Sequence, residues 1–128
     1  MSVPSNTLVL VADDDRDILD LVALRLEGAG YAVVTASDGE EALRLARERQ
    51  PDLAILDVMM PKLTGYDVTE ALRADDGTRD VPIILLTARV QESDLNRGFE
   101  AGATDYVRKP FDARDLRDRV AKLLEKPC

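Results

Sequence analysis

Three kinds of residue in this chain stand where they could do chemistry together. Asp13, Asp14 and Asp15 follow the apolar run Leu8 to Ala12, and Asp57 closes the run Leu53 to Leu56. Thr87 follows Val81 to Leu86, and Lys109 lies just beyond Thr104 to Val107. Carboxylates brought to about 5 Å of one another repel by roughly 3 kcal/mol per pair at an effective dielectric of 20. Such a cluster is relieved by a raised carboxylate pKa or by a hard cation in an oxygen cage. Mg²⁺ suits a small site that stays partly open, because it takes few carboxylates, keeps waters and leaves room for a phosphate oxygen. Asp57 is the candidate nucleophile: a carboxylate can capture a phosphoryl group as an acyl phosphate while an ammonium and a hydroxyl stabilise the phosphoryl oxygens, roles open to Lys109 and Thr87. Taken singly, each residue has a plainer reading. Three aspartates make a turn or a helix cap, a threonine ends a strand, a lysine is a surface charge, and Tyr106 is half-buried packing. Their joint placement at four strand ends is what favours chemistry.

The elements needed to bring them together are legible. Five short runs rich in Val, Ile and Leu, Leu8 to Ala12, Ala32 to Ala36, Leu53 to Leu56, Val81 to Leu86 and Thr104 to Val107, read as strands covered on both faces. Helical patterns alternate with them. Ile18, Val22, Leu26 and Ala29 mark a helix over 16–29, stopped by Gly28 and Gly30. Ser37 to Glu40 reads as a capping box opening a helix over about 38–49, and Thr64 with Asp67 opens a third. A fourth runs from about Ser93 to Gly102, and Asp112 caps a fifth through Leu116, Val120, Leu123 and Leu124. Five alternating β-α units predict a doubly wound α/β fold with a parallel sheet, and ligands of such sheets bind beyond the carboxyl ends of the strands. The expected organisation is a single domain over 1–128 with its core at about 7–124 and frayed ends.

Composition narrows the function. The 128 residues carry 17 basic and 25 acidic side chains, a formal net charge of −8, without a basic run longer than a dipeptide, so direct nucleic-acid binding is not expected. The absence of histidine removes His-based nucleophile arrangements and imidazole metal sites. The lone cysteine, Cys128, fits a reducing cytoplasm, and no stretch is apolar enough to read as a membrane span. Gly28-Ala29-Gly30 ends a helix where a dinucleotide fingerprint would open one.

Val11 to Asp15, Leu56 to Pro61 with Gly65, Leu86-Thr87-Ala88 and Asp105 to Phe111, in that order and spacing, resemble the receiver domain of two-component response regulators over residues 7–124. The resemblance implies a flavodoxin-like five-stranded sheet of order 2-1-3-4-5. It implies that Asp57 is the phosphoacceptor, that Asp14, Asp57 and the backbone carbonyl of Met59 ligate Mg²⁺, and that Asp13 acts through water. It also implies that Lys109 pairs with the phosphoryl group across a cis Lys109-Pro110 bond, whereas the base rate for such bonds is trans. Thr87 and Tyr106 would form the switch, Thr87 moving toward the phosphate as Tyr106 turns inward. The implied donor is a phosphohistidine on a sensor histidine kinase or phosphotransfer protein, which agrees with a chain that has none of its own. The implied readout is the surface of the fourth helix, fifth strand and fifth helix near Arg89, Val90, Gln91 and Arg114, acting on an output domain or downstream protein or through a phosphorylation-linked homodimer. Arg16 stands where many relatives have proline. Met59 and Arg89 occupy variable positions and are expected to shield the acyl phosphate from water, slowing self-dephosphorylation.

Two other functions compete. A Mg²⁺-dependent aspartyl phosphatase could use the same Asp57, but would want a second acid beside it where this chain has Met59. A flavin binder is disfavoured by the acidic crevice and by the lack of a hydroxyl-rich loop after the first strand.

Overall fold

The computed structural model describes residues 7–88 and 92–124. Five strands and five helices alternate: β1 (Leu8–Ala12), α1 (Arg16–Gly28), β2 (Ala32–Ala36), α2 (Gly39–Arg49), β3 (Leu53–Asp57), α3 (Gly65–Ala74), β4 (Ile83–Thr87), α4 (Glu92–Ala101), β5 (Asp105–Arg108) and α5 (Ala113–Leu124). The strands form one parallel sheet in the order β2-β1-β3-β4-β5, as expected from the resemblance. The winding reverses between β1 and β3, so the crevice of this sheet opens beyond Ala12 and Asp57.

The runs of β1, β3 and β4 are apolar throughout because both faces are covered, whereas β2 and β5, expected to be covered alike, are sheet edges that expose Ala32, Thr35 and Arg108. Leu10, Ala12, Ala54, Leu56, Ile83 and Leu85 face a core closed by Ala42 and Ala46 of α2 and by Val68 and Leu72 of α3. Val9, Val11, Leu53, Ile55, Ile84 and Leu86 face the opposite core, closed by Leu19, Val22 and Leu26 of α1 and by Leu116 and Val120 of α5. Each fully buried Leu or Ile contributes about 1.5–3 kcal/mol relative to exposure, which fixes the register: a slip by one residue would exchange the two cores.

Local chemistry sets the helix starts. Asp15 caps α1, its carboxylate accepting from the backbone N–H of Asp17 at 3.0 Å and of Ile18 at 3.4 Å. One of the three consecutive aspartates is therefore a cap. The cap of α2 lies one residue later than the sequence pattern suggested and is not a reciprocal box: Asp38 is the cap, accepting from Glu41 N at 2.8 Å, while the Glu41 carboxylate accepts from Ser37 N, one residue before the cap, at 2.8 Å. At α3 the expected box forms reciprocally between Thr64 and Asp67. β4 begins at Ile83, two residues after the start of the apolar run, because Pro82 has no N–H to give to the ladder; its carbonyl accepts from Ala54 N at 3.0 Å.

Arg73, near the end of α3, ties the incoming ends of the last two strands. Its Nε donates to Gly102 O at 2.8 Å, and the rest of its guanidinium donates to Arg79 O at 2.8 Å, Val81 O at 2.6 Å and Thr104 Oγ1 at 3.4 Å. Gly102 takes φ +109°, and a Cβ there would lie 2.7 Å from Arg73 Cγ, so both conformation and space require glycine. The expected frayed ends Met1 to Asn6 and Glu125 to Cys128, and the readout residues Arg89, Val90 and Gln91, lie outside the described residues.

Candidate functional site

Asp13 and Asp14 directly follow β1, Asp57 is the last residue of β3 and Thr87 the last of β4, and Lys109 directly follows β5. The parallel topology puts all of these at one edge of the sheet. One oxygen from each of Asp13, Asp14 and Asp57 lies within 4.8 Å of the others. Asp13 is fully buried, Asp57 is 5% exposed, and Asp14 faces outward.

The Lys109 ammonium reaches across the crevice to both buried acids, donating to Asp13 Oδ2 at 2.9 Å and lying 3.1 Å from Asp57 Oδ1. The other Asp13 oxygen accepts from Asp15 N at 2.9 Å. Lys109 is aimed by its own backbone, whose N–H donates to Thr87 O at 2.7 Å, and the Lys109-Pro110 bond that follows is cis. Burial alone would lower the Lys109 pKa, but the hydrogen bonds to Asp13 and Asp57 outweigh it and hold the ammonium above its usual range.

The Asp57 pKa is raised too, but for an acid this disfavours the charged form. Desolvation at the end of a buried strand, reinforced by the negative charge of Asp13 and only partly offset by Lys109, pushes its carboxyl up to about 6. Between pH 4 and 6 the folded protein therefore keeps a proton that the unfolded chain, at 3.8, has already lost. Ionising Asp57 costs stability, and above pH 6 the cost is complete. Asp57→Asn is expected to stabilise the metal-free protein by about 2–3 kcal/mol at pH 7.5 and by almost nothing at pH 4. Urea unfolding at the two pH values measures this, and equal gains at both would contradict it.

The backbone behind the acid is tightly seated. Gly65, which opens α3, donates its N–H to Val58 O at 2.9 Å, and a Cβ on Gly65 would lie 2.6 Å from the Asp57 carbonyl oxygen. Only glycine allows α3 to start this close to the acid. Met59 sits in the loop between β3 and α3 with its side chain 61% exposed.

Thr87 is buried at 2% exposure at the edge that holds the acids. Tyr106 of β5 is half-buried, and its hydroxyl lies 2.9 Å from that of Tyr66 on α3. Sequence reasoning passed over Tyr66, whose ring is buried in one core of the sheet. It also passed over Arg97, whose guanidinium stacks 4.6 Å from the centre of the Tyr66 ring. No pattern within a single element marks a pair joined only by the fold.

Residues 9–121 match the model of the response regulator receiver domain. The chain belongs to that family. Among curated proteins, this receiver domain is 47% identical over 118 residues to the DNA-binding dual master transcriptional regulator RpaA of Synechocystis, covering 92% of this chain and 49% of that protein. It spans about half the length of the curated relatives it matches. Among solved structures, it superposes on a putative response regulator from Chloroflexus aurantiacus with a TM-score of 0.88 at 40% identity, covering 94% of this chain and 99% of that one. The receiver domain of a sensor histidine kinase from Pseudomonas aeruginosa, solved with a magnesium ion coordinated in its active site cleft, superposes with a TM-score of 0.87 at 30% identity, covering 94% and 99%. Receiver domains are phosphorylation-activated switches, and the acidic cluster of this one is an all-oxygen donor set that could hold a divalent cation. No helix among the described residues is long and apolar enough to cross a membrane.

Proposed function

We propose that Asp57 is the phosphoacceptor of this receiver domain and that a phosphohistidine on a sensor kinase or phosphotransfer protein is the donor. The observation that carries this is the Lys109 ammonium held between Asp13 and Asp57 at the carboxyl edge of the sheet. An Asp57 oxygen attacks phosphorus as the P–N bond to the donor imidazole breaks, and the bonding pair leaves with the imidazole nitrogen. Lys109, already within reach of Asp57, pairs with the phosphoryl oxygens, and Thr87 supplies a hydroxyl.

Three clustered carboxylates, two of them paired with the Lys109 ammonium, make a hard, negatively charged donor set, which fits Mg²⁺. Asp14, Asp57 and the Met59 carbonyl would hold it, with Asp13 acting through water. What the cation supplies when bound is neutralisation of the charge gathering on the phosphoryl oxygens. Incubation with Mg²⁺ and a small phosphodonor, followed by intact mass, tests the reading: a gain of one phosphoryl group that disappears with a chelator is expected.

The phosphatase alternative draws no support. Met59, beyond the acceptor, carries a thioether that cannot serve as general acid. We place Met59 instead as a partial cover over the acyl phosphate. Met59→Asn is expected to shorten the phosphoryl lifetime several-fold, followed by intact mass after the donor is removed, and a longer lifetime in the variant would reject this role.

Phosphorylation adds about −1.5 to −2 charges at the crevice. The proposed readout runs through Thr87 and Tyr106 to the α4-β5-α5 surface, where Arg114 is described, and from there to an output domain, a downstream protein or a second copy of the chain. RpaA is named as DNA-binding, and this chain covers 49% of it. Contact with nucleic acid is accordingly assigned to an output partner and not to this acidic domain. We place its action in the cytoplasm.

A further inference from the structure

Tyr66 and Tyr106 stand on different elements 40 residues apart, and their hydroxyls meet at 2.9 Å. Each ring also touches α4: Arg97 stacks 4.6 Å from the centre of the Tyr66 ring, and the half-exposed Phe99 ring lies 6.3 Å from that of Tyr106 at a 48° tilt. Tyr66 itself is buried and adjoins Gly65, the residue packed against the Asp57 carbonyl. A continuous path of backbone and ring contacts therefore leads from the acceptor through Gly65 and Tyr66 to β5 and α4, without passing through Thr87.

We propose that Tyr66 is a positioning residue that holds Tyr106 through the shared hydroxyl hydrogen bond and so couples the loop after Asp57 to β5 and α4. This rests on the reading of Tyr106 as a switch. The physical case is that any turn of Tyr106 that carries its hydroxyl away from Tyr66 gives up a bond formed at a half-buried site. A bond of this kind is worth enough to bias a two-state side chain about five-fold. The Arg97 guanidinium adds a charged contact on the Tyr66 face, so a shift of α3 or of α4 is felt by the same ring.

The chain has three tyrosines, and the third is a built-in control. Tyr31 packs in the core on the opposite face of the sheet, against Val9, Leu26 and their neighbours. Uniform 3-fluorotyrosine labelling of the full chain gives one fluorine resonance per tyrosine, assigned by Tyr31→Phe, Tyr66→Phe and Tyr106→Phe. The expected result is that Tyr66→Phe displaces the Tyr106 resonance and Tyr106→Phe displaces that of Tyr66, while Tyr31 stays in place in both. In the parent protein, Mg²⁺ with a small phosphodonor should move the Tyr66 and Tyr106 resonances together. In Tyr66→Phe the phosphoryl group should still be taken up, with a smaller movement of Tyr106.

A Tyr106 resonance at its parent position in Tyr66→Phe, before and after the donor, would overturn the proposal. So would a displacement shared equally by Tyr31, the mark of a general loosening of the fold. Failure of the parent protein to gain a phosphoryl group would sink the acceptor assignment alone, because the reciprocal displacements are read before any donor is added.

Discussion

Asp57→Asn is expected to abolish phosphoryl uptake while leaving the fold intact. The amide oxygen is neutral and does not form a stable acyl phosphate, so the loss should be complete. The neighbouring carboxylates are poor substitutes. Asp13 is fully buried, with one oxygen accepting from Lys109 and the other from Asp15 N, which leaves no face open to an incoming phosphorus. Asp14 is exposed, yet no salt bridge joins Lys109 to it among the described residues, so charge forming there would lack the neutralising ammonium. Intact mass after incubation with Mg²⁺ and a small phosphodonor is the measurement. The stability gain expected for the same variant at pH 7.5 excludes unfolding as the cause. A mass gain equal to that of the parent would move the acceptor to one of the other two acids.

Lys109→Met should have the largest effect on stability. The substitution keeps most of the apolar stem and removes the charge, leaving Asp13 and Asp57 buried side by side. Breaking a buried pair in this way costs about 3–5 kcal/mol when the remaining charge cannot escape. Here it can, in part. With its carboxyl already pushed up to about 6, Asp57 can take a proton at pH 7.5 for about 2 kcal/mol. The expected loss in metal-free protein is therefore about 2–4 kcal/mol, shrinking as the pH falls toward 5.5 and Asp57 becomes protonated. Adding Mg²⁺ should recover part of it, since a ligand bound only to the folded state stabilises by mass action. The contrast is Lys62, more than half exposed and 3.7 Å from Asp38, where removal should cost less than about 1 kcal/mol. Urea unfolding of the two variants measures both, and equal losses would show that the crevice is better solvated than its burial implies.

The fold was legible because β1, β3 and β4 are buried on both faces and so carry unbroken apolar runs, with capping residues between them. The acidic cluster was legible for a related reason: a parallel sheet gathers the ends of its strands at one edge, so residues distant in sequence but equivalent in position must meet. What stayed hidden depends on contacts between elements. Gln50 takes the left-handed conformation at the end of α2, and Lys62 has φ +73°, in both cases without the glycine that would announce it. The division of labour among the three consecutive aspartates needed the structure, since only geometry separates a cap at Asp15 from an ion-paired acid at Asp13. The hydroxyl pair of Tyr66 and Tyr106 was equally silent, each ring being an ordinary core residue until the other is placed beside it.

Arg73 fastens the loops that lead into β4 and β5, and its bond to Gly102 lies immediately past the last residue of α4. The two strands are thus anchored at the rim opposite the acids, while their other ends carry Thr87 and Lys109. α4 inherits the same asymmetry, since its carboxyl end adjoins the Gly102 that Arg73 holds, on the rim away from Thr87 and Lys109.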